Sequence, residues 1–166
     1  CGIDMDEMPD APAWQQAIFK ALKAGDVRQI AYVPDAGHSH VIRAAIADPQ
    51  QLARWWGPKG FRSSFERFDF RPGGDWLFTL HAPDGTDYPN VCRFTEIVPD
   101  VRVVIEQLNV HWFELALLLA PQDGGTRIGW RQTLPSAEDC ARMAPLCAPS
   151  NEQNLDRLAA VLAEAG

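Results

Sequence analysis

The sequence predicts an α+β domain in which a meander of antiparallel strands is covered on one face by a C-terminal helix. Two observations carry this. From Phe61 to Leu134 apolar and polar residues alternate with a period of two, broken by turn clusters at Arg71-Pro72-Gly73-Gly74, Ala82-Pro83-Asp84-Gly85, Pro99-Asp100 and Asp123-Gly124-Gly125. Beyond the meander, Leu155, Leu158, Ala159 and Leu162 form an apolar stripe at helical spacing. The alternation amounts to six strands. A sheet with one wet face must bury the other, and the terminal stripe supplies its partner.

Residues 1–11 are acidic, contain Met and Pro, and read as a loose leader. A helix is expected over 12–27, with Pro12 in its first turn, Trp14, Ala17, Ile18, Ala21 and Leu22 on one face, and Gly25 as its stop. Residues 28–33 fit a short strand, ended by Pro34-Asp35-Ala36-Gly37, and His38 to Ala47 return to helical spacing through Val41, Ile42, Ala45 and Ile46. Asp48-Pro49-Gln50-Gln51 signals a new helix: an acidic N-cap, proline at the first helical position, and a glutamine to answer the cap. Leu52, Trp55 and Trp56 share one side of it, and Gly57-Pro58 ends it. The two tryptophans read chiefly as an anchor fixing this helix to the sheet. After the strands, Ser136-Ala137-Glu138-Asp139 resembles the start of a short helix. Ser150-Asn151-Glu152-Gln153 forms a full capping box, so a separate final helix is expected from there.

With 166 residues the chain has the length of one domain, and 46% hydrophobic content suffices for a core without metal or disulfide. A net charge of −7, from 15 basic and 22 acidic residues, leaves no basic face for nucleic acid. Cys1, Cys92, Cys140 and Cys147 show no zinc spacing, which favours reduced thiols and a cytoplasmic setting. No apolar run reaches the length of a membrane span, and no secretion signal is evident. His38 and His40 lack a third ligand nearby, so no metal is expected. His81 and His111 read as surface or turn histidines. Gly73-Gly74 and Gly124-Gly125 sit at hairpin turns and open no helix, so no phosphate loop or nucleotide cofactor is expected.

Gln51-Leu-Ala-Arg-Trp-Trp-Gly-Pro-Lys-Gly-Phe61, Phe68-Asp-Phe-Arg-Pro-Gly-Gly-Asp-Trp76, Pro83-Asp-Gly85, Phe94-Thr-Glu-Ile-Val-Pro-Asp100 and Gly124-Gly-Thr-Arg127 stand in one order along the chain. From about residue 48 on, this order resembles the SRPBCC (START-like, helix-grip) superfamily, in the subgroup related to the activator of heat-shock-protein-90 ATPase. The resemblance implies a curved sheet of about seven antiparallel strands wrapped on a long C-terminal helix, and an apolar ligand cavity. It implies no reaction. Trp14-Gln-Gln-Ala-Ile-Phe-Lys-Ala-Leu-Lys-Ala-Gly25 with Ile30-Ala-Tyr-Val-Pro-Asp-Ala-Gly-His-Ser-His40 is instead similar to the N-terminus of thiamine-diphosphate-dependent sulfopyruvate and phosphonopyruvate decarboxylases. The acidic Glu-Glu-Glu-Gly stretch and the pyrophosphate domain of those enzymes have no counterpart, so thiamine chemistry is expected to be absent. The two resemblances meet at Ala47-Asp48-Pro49, as in a fusion. The strand at 28–33 and the helix after it are then expected to take the first two places of the grip. That makes 28–166 the helix-grip domain and 12–27 an added helix.

Alternation puts Trp76, Phe78 and Leu80 on one face, with Phe94, then Phe113, Leu115 and Leu117, then Trp130 and Gln132. Together with Leu158 these residues fit either an ordinary core or the lining of a cavity between sheet and C-terminal helix. The same parity places Glu96 beside Phe94 on the inward face. A carboxylate buried there needs a donor or a raised pKa, the condition that produces a ligand-orienting group or a general base. Gln132 is a second group able to orient a ligand. The expected function is binding of a small hydrophobic or amphipathic molecule. The alternatives are a chaperone-activator-like protein-interaction module with a stress-response role, a cyclase or hydrolase using Glu96, and an inactive decarboxylase-derived fusion.

Overall fold

The computed structural model of the chain describes residues 29–33, 39–109, 111–122 and 125–165. The leader at 1–11 and the helix expected over 12–27 lie outside the described residues, as does most of the decarboxylase-like segment. Among the described residues seven strands form one antiparallel sheet: β1 (Gln29–Val33), β2 (Arg62–Phe68), β3 (Asp75–His81), β4 (Asp87–Val98), β5 (Arg102–Gln107), β6 (Phe113–Gln122) and β7 (Gly125–Thr133), in the order β1-β7-β6-β5-β4-β3-β2. Six of them are the expected meander. The seventh, β1, pairs with β7 from Gln29 opposite Trp130 to Val33 opposite Thr126, so the early strand closes the sheet's far edge. Helices α1 (Ser39–Ala47) and α2 (Pro49–Trp55) carry the chain from β1 to the opposite edge at β2, and α3 (Ala137–Ala165) packs on both helices and on β1. This is a helix-grip architecture.

Local chemistry accounts for the joints. Asp48 caps α2 as expected, its Oδ1 accepting from Gln50 N at 2.8 Å, but Gln51 does not answer the cap: its Oε1 accepts from Arg54 Nη1 at 3.0 Å. The β3–β4 turn uses Gly85 at φ +87°, and the β4–β5 turn places Asp100 at φ 60°, a conformation that Asp tolerates better than most residues.

The expected break before a final helix does not occur. A single helix runs from Ala137 to Ala165 through Pro145 and Pro149. Ser136 is its cap, with Asp139 N donating to Ser136 Oγ at 3.0 Å and that hydroxyl donating to Asp139 Oδ2 at 2.7 Å. Ser150 is an interior residue whose hydroxyl turns back to the Leu146 carbonyl at 2.9 Å. Tertiary contacts override the local capping signal. The buried side chain of Cys140 docks the first part of α3, while the second part is bolted to the loop after α2.

That bolt consists of polar side chains of α3 meeting backbone. Asn154 Oδ1 accepts from Gly57 N at 2.6 Å, Gln153 Oε1 accepts from Lys59 N at 2.9 Å, and Arg157 donates to the carbonyls of Arg54, Gly57 and Pro58. Burial lowers the pKa of Arg157. Asn154 is buried, so Asn154→Leu leaves the Gly57 N–H without an acceptor. A loss of about 1–3 kcal/mol in urea unfolding is expected. Stability equal to the parent would show that this contact contributes nothing.

The core lies between the sheet's inner face and the helices. It joins Ile42 and Ile46 of α1, Leu52, Trp55 and Trp56 of the α2 region, and Leu155, Leu158, Val161 and Leu162 of α3 to the inward residues of β3–β7. The terminal stripe is buried, as its spacing predicts.

Candidate functional site

The structure brings the expected lining residues together. Trp76, Phe78, Phe94, Leu115, Leu117, Trp130 and Leu158 are each no more than 4% exposed, and Leu80, Phe113 and Gln132 are half-buried beside them. Trp56 packs against three of them. Its ring stacks on Trp130 at 5.5 Å, meets Trp76 edge-on at 4.8 Å and lies 6.3 Å from Phe78. The anchor reading of the tryptophan pair is thus realised, with Trp55 fully buried and its Nε1 donating to the Ala45 carbonyl at 2.9 Å. Gln132 faces α3 and accepts from Asn151 Nδ2 at 3.4 Å. The buried indole N–H groups of Trp76 and Trp130 have no hydrogen-bond acceptor among the described residues.

Glu96 is not on this face. A bulge between Phe94 and Glu96 inserts one extra residue: Phe94 stands opposite Ile105, yet Glu96 stands opposite Val104. The bulge reverses the parity of the strand beyond it. Ile97 takes the inward place, and Glu96 lies on the outer face, 41% exposed and paired with Arg102. Simple alternation through Thr95 misses this step.

An open cavity of about 430 Å³ lies elsewhere, at the end of the grip where α1 passes the β2–β3 loop and the β4–β5 turn. Its walls are apolar: Ala44, Ile46 and Ala47 of α1, Phe70 and Pro72, Ile97, Val98 and Pro99, then Val103 and Leu119. None of the residues expected to line a cavity is among them. Three arginines, Arg43, Arg71 and Arg102, and one carboxylate, Asp100, also line it. Arg43 Nε lies 3.6 Å from Asp100, Arg71 is held by Asp69 at 2.8 Å, and Arg102 by Glu96; all three arginines are substantially exposed. Arg102 Nε is covered and has no partner among the described residues. The β2–β3 loop is fixed against β4 by Gly73 N donating to Phe94 O at 2.7 Å and Phe94 N donating to Gly74 O at 2.9 Å. Phe70, on that loop, meets Phe94 at 5.0 Å.

Among the described residues no group of three or more His, Cys, Asp or Glu side chains could hold a metal ion. Cys92 and Cys147 are free thiols. Burial pushes Cys92 up to about 12, so it stays neutral and donates to Gln107 Oε1 at 2.8 Å. No helix among the described residues is long and apolar enough to cross a membrane.

A sheet gripping one long helix, with an apolar cavity at its end, defines the helix-grip class. Residues 41–163 match the family described as activator of Hsp90 ATPase homolog 1-like protein, and the chain belongs to that family. No curated protein matches it. Among solved structures, one from Rhodobacter sphaeroides is 21% identical with a TM-score of 0.73, covering 83% of this chain and 99% of its own. Another, from Chromobacterium violaceum, is 25% identical with a TM-score of 0.67 and covers 76% of this chain and 90% of its own. An AHSA1-like protein from Aeromonas hydrophila is 19% identical, with a TM-score of 0.67 over 83% of this chain and 92% of its own.

Proposed function

We propose that this domain binds a small amphipathic molecule with an anionic head, in the cavity between α1 and the β4–β5 turn. The observation that carries the reading is the pairing of an apolar wall with three arginines in one cavity of a chain whose net charge is −7. A volume of about 430 Å³ falls in the range of small-molecule sites. Burial of the ligand's apolar body over Ile46, Val103 and Leu119 supplies affinity at roughly 25 cal/mol per Å². The guanidinium groups orient the head, since exposed ion pairs such as Arg71–Asp69 hold their partners by no more than about 1 kcal/mol and exchange them readily. The buried Trp76, Phe78, Phe94, Leu115, Leu117, Trp130 and Leu158 act as the rigid packing behind this site, joined to its wall through Phe70. The thiols of Cys92 and Cys147 suit a reducing, cytoplasmic compartment.

Titration with 1-anilinonaphthalene-8-sulfonate, an aromatic body with an anionic head, tests the reading. One probe per chain is expected. Ala44→Trp, which fills the cavity from its exposed rim, should abolish binding, and Arg102→Ala should weaken it about tenfold, equivalent to about 1.4 kcal/mol. Equal saturation of the parent and Ala44→Trp would remove this cavity from the function.

A further inference from the structure

On the outer face of the sheet, at its β2 edge, three side chains from consecutive strands form an unbroken hydrogen-bonded chain. Ser64 Oγ on β2 lies 2.7 Å from Nε2 of His81 on β3, and His81 Nδ1 lies 2.6 Å from Oδ1 of Asp87 on β4. Register produces the arrangement. His81 stands opposite Asp87 across the β3–β4 hairpin and opposite Arg62 across β2, while Ser64 lies two residues from Arg62 and so on the same face. The hairpin is closed by Ala82 N donating to Thr86 O at 2.9 Å and by Asp84 Oδ1 accepting from Thr86 N at 2.9 Å. That turn holds the His81 and Asp87 backbones in place.

The atoms stand in the order that activates a hydroxyl. An ionised carboxylate can only accept, so Asp87 accepts a hydrogen bond from Nδ1–H, which keeps that proton on the ring and fixes the histidine tautomer. The Nε2 lone pair then faces Ser64, whose hydroxyl donates to it. A nucleophile, a base and a group orienting the base, each within hydrogen-bond reach of the next, make up the geometry by which such apparatus is recognised on any fold. Arg62 brings a cation to the same spot: its side chain is exposed, and no hydrogen bond or ion pair among the described residues engages it.

We propose that Ser64, His81 and Asp87 form an acyl-transfer site that hydrolyses small carboxylic esters, with Arg62 facing the developing oxyanion. Ser64 Oγ attacks the ester carbonyl carbon as His81 Nε2 takes the hydroxyl proton. The carbonyl carbon–alkoxy oxygen bond breaks, and the alcohol leaves with that proton, giving an acyl ester on Ser64. Water then attacks the acyl carbon, losing a proton to His81, and the proton returns to Ser64 Oγ as the free carboxylic acid departs. Ester and water give acid and alcohol, with no further reactant. With Asp87 61% and His81 27% exposed, the site is open, which suits short esters with aryl leaving groups.

Treatment of the full chain with a fluorophosphonate, followed by peptide mass spectrometry, is the test, alongside steady-state hydrolysis of p-nitrophenyl acetate. One phosphonyl adduct is expected, on Ser64. Ser64→Ala should take no adduct and lose the hydrolysis, and His81→Asn should slow both by on the order of a hundredfold. Asp87 is a positioning residue: Asp87→Asn should move the pH profile of hydrolysis, and Asp87→Glu should restore it. The charged groups facing His81 across its two strand pairings are Asp87 and Arg62. An unlabelled Ser64 in the parent chain, labelling spread evenly over other serines, or an unchanged rate in Ser64→Ala would each overturn the proposal.

Discussion

Trp56→Ala is expected to destabilise the domain by about 3–5 kcal/mol, the range for removing a buried aromatic side chain whose cavity cannot collapse. Trp56 touches rings from three different elements: Trp55 beside it at 5.4 Å, Trp76 and Phe78 on β3, and Trp130 on β7. Those rings are themselves locked by the sheet and by Phe65, Phe68 and Phe94 packed around Trp76, so they cannot follow the lost side chain inward. Trp56→Phe keeps an aromatic body and should lose about half as much. Guanidinium chloride unfolding, followed by circular dichroism, measures both. A loss below about 1.5 kcal/mol for the alanine variant would mean that Trp56 caps the core without filling it.

Gly74→Ala is expected to be at least as damaging, by a different mechanism. A Cβ at Gly74 would lie 2.0 Å from the Asp69 carbonyl oxygen and 3.0 Å from that of Arg71, a backbone contact that no rotamer change relieves. The loop would have to open, and with it the paired hydrogen bonds that clamp Gly73 and Gly74 to Phe94. A loss of about 3 kcal/mol or more follows, in the range diagnostic of overpacking. Gly73 supplies the contrast: it has φ +78°, but a methyl group there would meet nothing within 4 Å, so Gly73→Ala should cost only about 1–2 kcal/mol for its left-handed backbone. Thermal unfolding of the two variants decides the matter. If Gly73→Ala is the more damaging, backbone conformation and not close approach controls this turn.

Several parts of the fold are legible in the sequence because they depend on short-range periodicity. The period of two over 61–134, the turn glycines, the Asp48-Pro49 helix start and the Leu155/Leu158/Leu162 stripe each report a local preference that agrees with the final packing. The place of β1 in the sheet is legible too, through the family resemblance. Where one residue changes the phase, periodicity fails. The bulge at Thr95 turns Glu96 outward, and no composition signal marks it. The Ser150 capping box is present in the residues but unused, because α3 is held by contacts to the α2 region nearly a hundred positions earlier in the chain.

The candidate sites are still less accessible to sequence reasoning. The lining residues expected between sheet and α3 do converge, and Trp56 packs against Trp76, Phe78 and Trp130 among them, a side chain whose spacing reveals an anchor without the position it takes. The open cavity is built from turn residues and the end of α1, and Arg43, Arg71 and Arg102 share no spacing. Ser64, His81 and Asp87 lie on three strands, and His81 taken alone resembles any surface histidine.

Periodicity and turn chemistry thus determine which elements form and which faces they bury, because each depends on neighbours within a few residues. Strand register, bulge position and the placement of α3 decide where polar groups meet and where space remains. Those depend on side chains from distant segments competing for the same volume, a competition that no local pattern encodes.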